Sequence, residues 1–68
     1  LPKRRTTRDR FKRKLDQLDD QYDHIIAVYS EMFKVYHESH PDITLQLAMM
    51  METISELQKG NKRFRNSF

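Results

Sequence analysis

The stretch HESHPD, His37 to Asp42, decides how this chain folds. Pro41 disfavours helical geometry at the residue before it, and Ser39-x-x-Asp42 has the spacing of a capping box that would open a new helix. One helix ending and another beginning within six residues describe a tight turn. The segments on its two sides are therefore read as helices that fold back on one another.

Upstream, Phe11, Leu15, Leu18, Tyr22, Ile25, Tyr29, Met32 and Tyr36 recur at alternating spacings of four and three, an unbroken heptad seam. Thr6-x-x-Asp9 is a capping box that would start it. Downstream, Ile43, Leu47, Met50, Ile54 and Leu57 keep the same spacing, and Gly60 is expected to end the second helix because glycine takes up the left-handed conformation of helix ends. The reading is all-α: a basic arm over 1–6, an antiparallel helical hairpin over 7–60 and a basic tail over 61–68. The hairpin comprises a helix over about 7–38, a turn at 39–42 and a helix over about 43–59. At 1.5 Å per residue the first helix is roughly 45 Å long and the second about 27 Å. The first three turns of helix 1 must then project past helix 2 or lie beside the tail.

A chain of 68 residues without Cys has neither the size for a large core nor disulfides or thiolate-bound zinc to reinforce a small one. Oligomerisation remains. Helix 1 broadens into an apolar face over its second half, with Ile26, Val28, Phe33 and Val35 beside the seam, and helix 2 adds Leu45, Met49 and Met51 off its own seam. A face that wide exceeds what one short helix covers, so these seven residues are assigned to an interface between copies in a homo-oligomer, a dimer of hairpins forming a four-helix bundle. The chain begins at Leu1 rather than Met, which suggests a piece of a longer protein.

Charge is divided as sharply as hydrophobicity. Residues 1–14 carry eight Lys/Arg and one Asp, residues 59–68 carry four Lys/Arg and no acid, and residues 15–58 carry nine acids and one Lys. Folding at the turn gathers Lys3, Arg4, Arg5, Arg8, Arg10, Lys12, Arg13 and Lys14 with Lys59, Lys62, Arg63 and Arg65 at the open end. Such self-repelling basic density is relieved by an anionic partner, and phosphate contacts to DNA or RNA are the leading expectation. Residues 3–14 contain no Asn-x-x-Ala and no Glu placed to read a base, so affinity without sequence reading is expected. The alternative is an assembly domain of a larger protein whose basic tip docks on an acidic protein surface.

Other chemistries have less support. Phe64 and Phe68 among Arg63, Arg65 and Asn66 could stack on bases, but they continue the heptad register and are read as covering the bundle end. Tyr22, Tyr29 and Tyr36 share the seam with Leu and Ile and are read as core. His37, Glu38 and His40 lack a third fixed ligand, so no metal or cofactor is expected, and no catalytic constellation is present to suggest an enzyme. The longest apolar runs are far below the ~20 residues of a membrane span, and Phe11 and Leu15 alone give residues 3–14 too little apolar surface for lipid. Absence of Cys and of a signal segment points to an intracellular setting.

Overall fold

The computed structural model describes residues 6–68 as two helices, α1 (Thr7–Tyr36) and α2 (Pro41–Asn66), packed against each other as a helical hairpin. Lys3, Arg4 and Arg5 lie outside the described residues. Among the described residues there is no strand, and no helix is long and apolar enough to cross a membrane.

α1 starts as its sequence dictates. The Asp9 amide donates to Thr6 Oγ1 at 3.1 Å and the Thr6 amide donates to Asp9 Oδ2 at 3.3 Å, so two amides with no partner inside the helix are satisfied reciprocally. At its other end the His37 amide donates to the Phe33 carbonyl at 2.9 Å, and the His37 ring stacks on Phe33.

α2 starts differently from expectation. The Ser39 hydroxyl lies 2.8 Å from His40 Nδ1 instead of capping, and His40 occupies the cap position without a side-chain bond. Pro41 is the first helical residue, where a missing amide proton costs nothing and the fixed φ already suits a helix. Thr44 is buried, and its hydroxyl lies 2.9 Å from the Pro41 carbonyl and 3.3 Å from that of His40, so its proton is satisfied within the first turn.

The second difference is larger. α2 does not end at Gly60 but continues to Asn66, and Gly60 does not have a positive φ. A helical glycine costs about 1 kcal/mol relative to alanine. Here the continuation is offset by what it touches. Asn61 Nδ2 donates to the Leu15 carbonyl at 3.0 Å, Arg65 Nε donates to Asp16 Oδ1 at 3.0 Å, and Phe64 and Phe68 close on Phe11. Most of the expected tail is therefore helix, and it lies beside the first turns of α1.

The hairpin measures 60 × 20 × 11 Å, a slab one helix thick. Leu15 and Leu47 are its only buried hydrophobic residues among those described. A single layer of two helices leaves half of each helix in solvent, so few positions are buried.

Candidate functional site

The contacts between the helices pair Phe11 with Phe68, Asp16 with Arg65, Asp23 with Gln58 and Ser30 with Met51. On α1 the shielded row is Leu15, Asp19, Tyr22, Ile26, Tyr29 and Phe33; on α2 it is Thr44, Leu47, Met51, Ile54, Gln58, Asn61 and Arg65, continued by Phe68 beyond the helix end. Leu15, Tyr22 and Tyr29 belong to the seam read from the sequence. Its other members, Phe11, Leu18, Ile25, Met32 and Tyr36, are 37 to 41% exposed. The places of Leu18, Ile25 and Met32 are taken by Asp19, Ile26 and Phe33, one row further round the helix.

The physical reason lies in the polar residues. This rotation sets the acidic side of α1 against the polar side of α2, where Gln58 Nε2 donates to Asp23 Oδ1 at 2.6 Å, Arg65 reaches Asp16, and Asn61 reaches the Leu15 carbonyl. Rotating the apolar rows inward would remove these partners. The consequence is an unpartnered hydrophobic edge: Leu18, Ile25, Val28, Met32 and Val35 on α1, and Ile43, Leu45, Met49, Met50, Leu57 and Phe64 on α2, are all exposed. Of the seven residues assigned to an interface, Val28, Val35, Leu45 and Met49 are exposed, whereas Ile26, Phe33 and Met51 are half-buried in the seam. Beside Leu57 and Phe64 an open groove runs from Met49 to Arg63 with Tyr22 at its side.

At the open end, Phe11, Phe64 and Phe68 form a ring cluster with centroids 5.2 to 5.5 Å apart in edge and tilted arrangements. The Arg8 guanidinium carbon stands 5.6 Å from the Phe68 ring centre, within cation–π range. Around this cap six of the cations fall into two groups. Arg8 is drawn onto the ring, Arg65 onto Asp16, and Lys59 Nζ donates to Glu56 Oε1 at 3.2 Å. Arg10, Arg13 and Lys14 instead line one open groove with Gln17, and among the described residues none of the three is in an ion pair. Lys62 borders a cleft with Asp16, Asp19 and Arg65, Arg63 borders the apolar groove, and Lys12 is half-buried.

The turn histidines are held by local bonds. His37 Nδ1 lies 3.0 Å from the Lys34 carbonyl, and the Tyr36 ring meets the His40 ring edge-on at 5.7 Å. The closest approach of metal-ligating groups falls elsewhere, at Asp19, Asp20 and Asp23, whose carboxylates can lie within 4.8 Å of one another. Asp19 Oδ1 is shielded from solvent without a hydrogen-bond partner among the described residues. The spacing of these acids at i, i+1 and i+4 is visible in the sequence, but the shielding follows from the helix rotation.

No protein-family model, curated protein or solved structure matches the chain.

Proposed function

We propose that this chain is an oligomeric helical module in which two antiparallel hairpins close a four-helix bundle over their apolar edges, and whose basic end binds DNA or RNA through phosphate. The observation that carries the binding half is the second group of cations. Arg10, Arg13 and Lys14 line one groove and none of them is in an ion pair among the described residues, and an anion held between like charges this close relieves their repulsion.

The pairing half rests on the exposed apolar rows: Leu18, Ile25 and Met32 on α1 and Ile43, Met50, Leu57 and Phe64 on α2 are each more than a third exposed, a contiguous apolar surface that a second copy would cover. The order of the interhelical contacts fits helices running in opposite directions. In that arrangement the Leu18–Ile25–Met32 row and the Ile43–Met50–Leu57–Phe64 row share one side of the slab, as the Phe11–Phe64 ring contact at 5.5 Å also suggests.

Titration of labelled single- and double-stranded DNA and RNA at two salt concentrations tests the binding. Affinity is expected to fall steeply with salt and to vary little with sequence. Replacing Arg10, Arg13 and Lys14 together by Glu should weaken it by orders of magnitude while leaving the helical signal in place. Arg8 is kept out of this variant because its contact with Phe68 would confound binding with folding. If the wild-type chain shows no salt-sensitive association, the second reading takes over: an assembly domain of a larger protein, favoured by the same apolar edge, with the basic end docked on an acidic protein surface.

A further inference from the structure

We infer that the second copy lies reversed, with its turn beside the basic end of the first, so that the assembled rod carries one basic end at each pole. This rests on the pairing of copies proposed above and specifies its direction. The apolar edge cannot choose between directions. Its rows repeat every seven residues on both helices, Leu18, Ile25 and Met32 on one and Ile43, Met50, Leu57 and Phe64 on the other, so hydrophobic residues meet hydrophobic residues in either sense.

Charge does choose. Among the described residues, five Lys/Arg less one Asp give residues 6–14 a net +4, and four Lys/Arg give residues 59–68 another +4. Two copies facing the same way would stack two such ends side by side. Packed helices lie about 8–10 Å apart, no more than the Debye length of about 8–10 Å at ordinary salt, so this repulsion is only partly screened. In the reversed arrangement the basic end of each copy instead runs alongside Glu31, Glu38 and Asp42 of the other, opposed there by Lys34 alone. The reversed register sets Leu18 of one copy against Ile25 of the other and Phe11 against Met32. Its midpoint falls just before Asp23, which meets Gln58, so Leu57 stands near its own counterpart.

A functional consequence follows. Two phosphate-binding ends on opposite poles cannot grip one short duplex together; they join two separate nucleic-acid segments. The reversed dimer is a bridge, where an aligned dimer would be a clamp.

The chain has no Cys, so a single Ser39→Cys substitution in the exposed turn, labelled with a nitroxide, reports on direction from outside both helices, at the loss of the Ser39–His40 contact alone. Sedimentation on the same sample reports on pairing. The reversed dimer should place the two labels roughly 50 Å apart at 1.5 Å of rise per residue, and the aligned dimer less than about 25 Å. A dimer with the long distance supports the inference. A dimer with the short distance overturns the reversed direction and leaves the pairing intact. A monomer at tens of micromolar overturns the pairing and the direction with it.

Discussion

Along one edge of the interhelical seam, Asp16, Asp23 and the Leu15 carbonyl each find a partner on α2 in Arg65, Gln58 and Asn61. Along the other, Leu18, Ile25, Met32, Met50 and Leu57 remain exposed. Both edges sit on the same two helices and differ only in which side of the seam they flank. The polar edge is satisfied by contacts within one chain, because hydrogen-bonding groups near a seam lose water and need partners there. The apolar edge has no such local solution, since one slab cannot cover its own face. The difference separates two kinds of surface: polar contacts set the rotation of the helices, while many of the large apolar side chains stay exposed in the hairpin.

The largest effect should come from breaking the apolar edge. Ile25 is 39% exposed in the hairpin, so a glutamate there would be tolerated by an isolated chain, where surface substitutions cost within about 0.5 kcal/mol. In a bundle closed over that edge, Ile25→Glu buries a charge from each copy. The dimer dissociation constant is expected to rise more than ~100-fold, about 3 kcal/mol or more. Sedimentation at several concentrations measures this, and an unchanged constant would remove Ile25 from any interface.

Leu15 supplies the next contrast, because it is buried at 7% exposure within the seam itself. Leu15→Ala should cost about 2–3 kcal/mol, the low end for such truncations because the site is close to the open end and can collapse. The urea midpoint should fall while the oligomer formed at high concentration keeps its size. Loss of the oligomer with little change in the midpoint would mean that seam and apolar edge had been assigned the wrong way round.

On the polar edge the effects are smaller. Asn61→Ala removes the bond to the Leu15 carbonyl, which keeps its place in the α1 backbone ladder, so about 0.5–1 kcal/mol is expected. The loss should be local, seen as faster amide hydrogen exchange over residues 61–66 with little change elsewhere.

The two helices, the capping box at Thr6 and the turn near Pro41 were legible because each depends on neighbours in sequence. The rotation of the helices was not. The heptad rule assigns Leu15 and Leu18 to one seam with equal weight, and the choice of Asp19 over Leu18 is made by Gln58, Asn61 and Arg65, more than thirty residues away. The basic end was legible as a cluster of charge, but not its division between paired and open cations, which needs the positions of Asp16, Glu56 and Phe68. The Ser39 cap failed because His40 Nδ1 competed for the hydroxyl, a contact between adjacent residues that spacing alone does not rank.

Gly60 is where local and distant signals disagree most plainly, and it gives the smallest of the expected effects with the opposite sign. Its backbone is helical without a positive φ, so glycine is not needed for conformation. A Cβ built there would meet only Arg63 Nη2, at 3.9 Å, the far end of a flexible side chain, so glycine is not needed for space within the hairpin. Gly60→Ala should therefore stabilise the isolated hairpin by about 0.5–1 kcal/mol through the lower conformational entropy of the unfolded chain. A thermal melt at low concentration, where pairing contributes least, measures that gain. Gly60 also borders the open groove beside Leu57 and Phe64, so the same substitution tests the apolar edge. A gain in the dilute melt that is lost or reversed at high concentration would place a neighbouring copy's side chain in the space the glycine leaves. A gain that is the same at every concentration would put Gly60 outside the interface and confine the contact to the rows of Ile25 and Met50.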